Sequence, residues 1–338
     1  MRKNLLILLL MAFILSSCNL PGVPEKIVEN LPGNSNWITI NSDGAPTPTP
    51  FLPIELDPSL PLPTSMAQQP PIDLPTGLSN RPDGQVNILV MGSDFRPGQG
   101  YRTDVFMLLS LYPKQGTASV ISFPRDLWVY IPGIGDQRIN VAQPYGGFEL
   151  SKSMLEENFN VTADYYIMTN FQGFKSIVDS LGGINVIAGQ NLSDHCDLPQ
   201  SDGERNCHAY TGSNYMNGET ALWYVRSRYS SSDLDRTRRA QEVILALFDK
   251  LMSLDAVSRV PELYSIYINS VETDLTVEAV IPLLSLASQL ISDPSKIRRY
   301  AIGSEQVTPY VMPDSGANVL LPNYEAIKIL INNSAFTP

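Results

Sequence analysis

The chain has 338 residues, 43% of them hydrophobic and 17% charged, enough apolar material to bury a full core in one large domain or two small ones. Its net charge of -11 at pH 7 excludes a general electrostatic attraction to nucleic acid or to an anionic membrane surface. An anionic ligand must therefore be met by a local concentration of cationic side chains.

Arg2 and Lys3 precede the apolar run Leu5 to Leu15, and Ser16, Ser17 and Cys18 follow it. A basic start, a short apolar core and small residues make residues 1–17 a secretory signal. The run falls short of the about 20 residues that a bilayer-spanning helix needs. The Leu-Ser-Ser-Cys ending resembles the bacterial lipobox, which implies cleavage before Cys18 and diacylglycerol on its thiol. An uncleaved anchor helix is the alternative, and both place the body outside the cytoplasm. Residues 18–85 are crowded with prolines, including Ala45-Pro-Thr-Pro-Thr-Pro50 and Leu60-Pro-Leu-Pro63. Such composition predicts a disordered tether with polyproline segments that extend about 3.1 Å per residue.

The body, residues 86–338, opens with a predicted strand over Val86–Met91 that runs into Gly92-Ser93-Asp94. A second strand, Val105–Leu111, follows Tyr101-Arg102-Thr103-Asp104. A third, Ala118–Phe123, ends in Pro124-Arg125-Asp126, and a fourth covers Leu127–Ile131. Polar residues thus recur at strand ends, where open α/β sheets bind ligands. Helical spacing covers 147–159 and 171–181, the latter closed by Gly182-Gly183 before a strand over Ile184–Ala188, and Tyr165–Met168 reads as a strand between them. Asn217–Val225 predicts another helix. Ala240, Val243, Ile244, Leu247, Leu251 and Met252 then form an apolar stripe on a long one. A helix over Thr276–Ser292, a strand over Arg298–Ile302 and a helix over Asn323–Asn332 complete the body.

Cys196 and Cys207 flank a polar loop in an exported chain, which favours a disulfide. His195 and His208 beside them make a metal site the alternative, although the spacing matches no common zinc pattern.

The segment from Ala221 to Gln241 carries Arg226, Arg228, Arg236, Arg238 and Arg239 at the predicted start of the long helix. The helix dipole favours carboxylates there, so local stability does not account for the cations, whereas an anion would meet free amides and guanidinium forks. Arg102 and Arg125, at strand ends, are expected to converge with Arg226, Arg228, Arg236 and Arg239 on one crevice, as suits pyrophosphate recognition. Surface ion pairing remains the alternative for any one pair, and Arg238 is expected to be solvated. Asp94 and Asp104 can hold Mg²⁺ together with phosphate oxygens. Of Asp233 and Asp235, one is expected to cap the helix and the other, Asp233, to accept a proton. No phosphate-binding glycine loop follows the first strand, and both histidines lie in the cysteine loop. Metal-assisted phosphoryl transfer to an external hydroxyl remains.

Gly92-Ser-Asp94, Arg102-Thr-Asp104, Phe123-Pro-Arg125-Asp126, Arg138-Ile-Asn140, Gly146-Gly147, Leu181-Gly-Gly183, Arg226-Ser-Arg228 and Asp233-Leu-Asp-Arg236-Thr-Arg-Arg239 resemble, in order and spacing, the LytR-CpsA-Psr family of bacterial envelope enzymes. The resemblance implies a single α/β/α body whose central mixed sheet is flanked by helices and which holds a hydrophobic cavity for a polyprenyl chain. It implies transfer of a phosphate-linked glycopolymer, such as teichoic acid or capsule, from polyprenyl pyrophosphate to a muramic acid hydroxyl of peptidoglycan. By motif, Asp94 and Asp104 would hold Mg²⁺, while Arg102, Arg125, Arg226 and Arg228 would grip the pyrophosphate, Asp233, Arg236 and Arg239 completing the site. The family's Arg-Gln-Gln stands here as Arg239-Ala240-Gln241, leaving Gln241 for the pyrophosphate set. The family's usual anchor is a transmembrane helix; a lipid on Cys18 would give the same topology, on the outer face of the cytoplasmic membrane. Alternatives are hydrolysis of the polyprenyl pyrophosphate, or a non-catalytic glycan-binding or regulatory role.

Overall fold

Apolar runs rich in Val, Ile and Leu become the strands β1 (Val86–Ser93), β2 (Thr103–Tyr112) and β3 (Thr117–Ser122) of a computed structural model. The structure describes residues 81–95, 101–228, 233–253, 267 and 269–338, which lie in one unit, residues 49–338. The signal, Cys18 and the tether up to residue 80 fall outside the described residues. After β3 come the hairpin β4 (Trp128–Ile131) and β5 (Gly135–Arg138), then α1 (Ala142–Phe159), β6 (Tyr165–Asn170) and α2 (Phe171–Ser180). Next are β7 (Ile184–Ala188), β8 (Leu192–His195), β9 (Asn206–Ala209), β10 (Gly212–Met216), α3 (Gly218–Arg226) and α4 (Asp233–Leu251). The body closes with β11 (Val271–Thr273), α5 (Val277–Val280), α6 (Leu284–Ser292), β12 (Ile297–Ala301), β13 (Val307–Val311), β14 (Asn318–Pro322) and α7 (Tyr324–Ile331).

Six strands form the central sheet in the order β11-β6-β1-β2-β3-β12. β6, β1, β3 and β12 run parallel to one another, and β2 and β11 run against them. Four carboxyl ends therefore share one edge with the start of β2, and this edge positions the site. Side chains alternate between the faces. Leu89, Met91, Phe106 and Leu108 pack on one side with Met154, Leu155 and Phe159 of α1 and Ile327 and Ile331 of α7. On the other side Ile88, Leu111 and Ala118 meet Leu286 and Leu290 of α6, and Met107 and Val120 meet Ala240 of α4. Each large apolar side chain among these, fully buried, contributes roughly 1.5–3 kcal/mol, the alanines less. The expected α/β/α body with a mixed sheet is thus present.

Several elements differ from expectation. The single helix expected over 276–292 is α5, a 3₁₀ turn Ile281–Leu283 and α6, because Pro282 lacks the N–H a continuous helix needs and its ring crowds the preceding turn. β4 pairs only with β5, so the fourth expected strand stands outside the sheet. Leu251, at the last residue of α4, is 45% exposed, so the apolar stripe leaves the core there. Gly147 has φ 62° and ψ -156°, a conformation open essentially to glycine, and kinks α1. Cys196 and Cys207 form a disulfide, Cα atoms 5.7 Å apart, at the end of the β8–β9 hairpin. Their sulfurs are therefore spent on each other, and His208 Nε2 bonds Asp202 Oδ2 at 2.8 Å, which removes the alternative of a metal between these residues. Among the described residues no helix is long and apolar enough to cross a membrane.

Candidate active site

Asp94 leaves β1 where the strand pairs with the start of β2. Its amide donates to Arg102 O at 3.1 Å, Arg102 N donates to Asp94 Oδ1 at 2.6 Å and Arg102 Nη2 to Oδ2 at 2.8 Å. Ser93 faces Thr103 and Gly92 faces Val105, so Asp104 is the extra residue of a β-bulge, a feature that redirects a side chain at a strand end. Arg125, just past β3, donates from Nη1 to Asp104 Oδ1 at 2.7 Å and lies 3.4 Å from Asp126 Oδ2 through Nε. Asp126 Oδ1 in turn faces Arg138 Nε at 3.4 Å. Hydrogen bonding by Asp94, then its charge, holds the Arg102 guanidinium above its ordinary pKa, and the charges of Asp104 and Arg125 act on it too. The early strands therefore bring Asp94, Arg102, Asp104 and Arg125 into one electrostatic neighbourhood.

The second half of the edge comes from the helices. Phe171 follows β6 directly, and the Arg226 guanidinium carbon lies 4.4 Å from its ring centroid, a cation–π contact that brings the end of α3 to the strand ends. Arg226 and Arg228 are exposed, while Ser227 between them is buried. Gln241 Nε2 donates to Ser122 Oγ and to Tyr300 O, both at 2.7 Å, tying α4 to the carboxyl ends of β3 and β12. Both amide protons of Gln241 are thus committed to the fold. Arg236 and Arg239 are 8% and 1% exposed, and Arg239 Nη2 donates to Ser227 O. Burial draws the Arg239 pKa below its ordinary value. Both arginines are buried, and Arg239 sits behind the turn that presents Arg226 and Arg228.

Two further expectations change. Arg238 is only partly solvated: its Nη1 donates to Glu242 Oε1 at 2.5 Å, and that carboxylate also accepts from Tyr224 OH at 2.7 Å and Gly189 N at 3.0 Å. α4 begins at Asp233 rather than near Arg236, so Asp235 lies inside its first turn, where a carboxylate suits the dipole, and does not cap it. Sequence reasoning left Phe171, Asp126 and Arg138 without roles. Arg138 and Asp126 stood in the matched motifs, and Phe171 is an aromatic at a strand–helix junction, a signal that could have placed it beside the ligand edge.

Among the described residues no three His, Cys, Asp or Glu side chains gather as a metal site, so Asp94 and Asp104, which accept from Arg102 and Arg125, are the pair that would hold a divalent cation. Asp94 stands just past β1 and Asp104 in the bulge of β2, and Mg²⁺ is typically held by one or two carboxylates with phosphate oxygens filling the rest of the shell.

A model of the LytR_cpsA_psr family matches residues 64–320. The chain belongs to the LytR_cpsA_psr family. A polyisoprenyl-teichoic acid–peptidoglycan teichoic acid transferase, TagU of Oceanobacillus iheyensis, is 35% identical over 208 residues, 59% of this chain and 62% of the relative. The chain thus spans less than two thirds of that relative. A crystal structure of B. subtilis TagV superposes with a TM-score of 0.60 at 24% identity, over 75% of this chain and 98% of TagV. A structure of TagT bound to LIIa-WTA gives a TM-score of 0.55 at 25% identity, over 75% of this chain and 91% of TagT. The family expectation drawn from the motifs therefore holds, as does the layered LytR_cpsA_psr architecture.

Proposed function

We propose that the chain transfers a phosphate-linked glycopolymer, of the teichoic acid class, from a polyprenyl pyrophosphate carrier to a peptidoglycan hydroxyl. The observation that carries this reading is the pairing of Arg102 with Asp94 and of Arg125 with Asp104 at the carboxyl edge of the sheet, with Arg226 over Phe171 at the end of the neighbouring β6. In this role the exposed forks of Arg102, Arg226 and Arg228 grip the pyrophosphate oxygens, and Arg125 orients Asp104. Arg236, Arg239 and Gln241 support this set from behind. Asp233, at the start of α4, takes the proton of the acceptor hydroxyl. The hydroxyl oxygen forms a bond to the glycan-linked phosphorus while the bond from that phosphorus to the polyprenyl phosphate oxygen breaks, and polyprenyl monophosphate leaves. Mg²⁺ on Asp94 and Asp104 would supply neutralisation of the phosphate charge.

The apolar face between the sheet and its helices supports a lipid donor: Val90, Val105 and Leu109 of the sheet, Val225 of α3 and Ile244 of α4 border one cluster there, and all five are only partly buried. The teichoic acid named for the TagU relative sets the substrate class. The signal and the Cys18 lipobox support anchorage to the outer face of the cytoplasmic membrane by lipid.

The test is transfer of labelled glycan from a polyprenyl pyrophosphate donor to peptidoglycan, with products compared when peptidoglycan is left out. Arg226→Ala and Asp104→Asn should each lower transfer by about a hundredfold, the usual effect of losing one preorganised charge contact. Wild-type rates in both would overturn the site. Equal release of polyprenyl phosphate with and without acceptor would replace transfer by hydrolysis.

A further inference from the structure

Arg239 is the largest fully buried side chain of the described residues. Its Nη2 bonds the carbonyl of Ser227, the residue between Arg226 and Arg228. That bond fixes the peptide from which both exposed guanidinium groups extend. A buried guanidinium is costly unless acceptors and opposite charge surround it. The Tyr224 ring lies 5.8 Å from the Arg239 guanidinium carbon, but the Tyr224 hydroxyl is already donated to Glu242. Counter-charge must come from elsewhere.

Asp235 on α4 supplies part of it, and the β8–β9 hairpin adds to it. Asp194, 3% exposed, stands on β8 directly opposite Cys207 and two residues before Cys196. Its Oδ1 accepts from His195 N at 2.7 Å, and the carbonyl of His195 accepts from Trp223 Nε1 at 3.1 Å, which clamps the strand end to α3. Leu192 and Ala209 of the hairpin share an apolar cluster with Tyr224 of α3 and Val243 of α4, so the hairpin packs on the two helices that carry the arginines. The disulfide closes its far end. The fields of Asp235 and Asp194 both favour the charged form of Arg239 against its burial.

We propose that Asp194 is a positioning residue: delivered by the disulfide-closed hairpin, it holds Arg239, which through the Ser227 carbonyl sets the spacing of Arg226 and Arg228 for an anionic donor. This rests on the reading that those two arginines grip a pyrophosphate. It gives the hairpin, otherwise a staple, a part in ligand binding, and it predicts that Asp194 and the disulfide act on the same step.

The experiment is calorimetric titration of the full chain in detergent with inorganic pyrophosphate, alongside urea unfolding of each variant. Asp194→Asn should weaken pyrophosphate binding by about fivefold or more, as expected for directly coupled neighbours. Asp194→Glu should recover part of the loss. Cys196→Ser/Cys207→Ser should weaken binding in the same direction and add little to Asp194→Asn. In an Arg226→Ala background Asp194→Asn should have a smaller effect than in the wild type, a coupling that a merely structural role does not produce. Unchanged binding in folded Asp194→Asn, or an equal loss in both backgrounds, overturns the inference. Should Asp194→Asn not fold, Trp223→Phe loosens the hairpin without altering a charge and must weaken binding as well; unchanged binding there overturns it too. If Arg226→Ala and Arg228→Ala bind pyrophosphate like the wild type, the donor reading itself fails; if they lose binding and Asp194→Asn does not, only Asp194 is released from its role.

Discussion

Gln241 separates a tether from a ligand, and replacing it with alanine decides between them. Its amide makes two hydrogen bonds, a buried one to Ser122 Oγ and a part-buried one to Tyr300 O, each at 2.7 Å. Each bond is worth about 1 kcal/mol net, and a part-buried carbonyl left without its donor costs about 1 kcal/mol or more, at the low end of the range for a fully buried one. Tyr300 O is the acceptor so exposed to loss, since Ser122 Oγ can turn to another partner. Gln241→Ala should therefore cost about 2–4 kcal/mol. For a body of this size each kcal/mol lowers Tm by about 2–4 °C, so a fall of roughly 5–15 °C is expected in thermal unfolding. Pyrophosphate affinity, measured well below Tm, should move much less than in Arg226→Ala. A variant that keeps its Tm within about 2 °C and loses pyrophosphate binding would refute the tether and return Gln241 to the ligand set.

The remaining predictions concern stability. The disulfide spans a sequence separation of 11, which in the chain-entropy picture corresponds to roughly 2–3 kcal/mol, so Cys196→Ser/Cys207→Ser should lower the urea midpoint to match. Gly147→Ala places a Cβ at φ 62° and ψ -156° and should cost about 1–3 kcal/mol in the same assay; no change would mean α1 straightens freely. Burial pushes the Asp136 carboxyl on β5 above the usual range, so the fold binds that proton more tightly than the unfolded chain does. That contribution is present below the unfolded pKa and is lost as pH rises through the folded one, leaving a charged carboxylate at a cost near neutral pH. Asp136→Asn should raise Tm at about pH 7 and not at about pH 3, and an equal shift at both would remove titration as the cause.

The strands of the central sheet were legible because they are continuous apolar runs bounded by polar residues, and the site edge because those polar residues are the chemistry-bearing ones. Hairpins such as β8–β9 were not, since Leu192-Ser-Asp-His195 and Asn206-Cys-His-Ala209 bury only every second residue and are too short for that alternation to stand out. Pro282 was in view, but the three- and four-residue apolar spacing on both sides outweighed it. The division of labour among the arginines could have been read from α4 alone. Arg236 and Arg239 stand four residues before Ala240 and Val243 respectively, on the face that enters the core, whereas Arg226 and Arg228 flank the end of a different helix. What no periodicity could supply is the place of Asp194, since the hairpin that carries it packs on α3 and α4 from a distant part of the sequence.

The bulge opposite Gly92 and Ser93 makes length a part of the site's specification. Removing one residue between Arg102 and Phe106 would let β1 and β2 pair without interruption, a change that backbone hydrogen bonding alone would favour. The residue lost in that repair is Asp104, and with it the carboxylate that holds Arg125 at 2.7 Å. Substitutions in this stretch test single side chains; a one-residue deletion would instead yield a more regular sheet and a dismantled edge, so here the perfection of the ladder and the competence of the site are opposed.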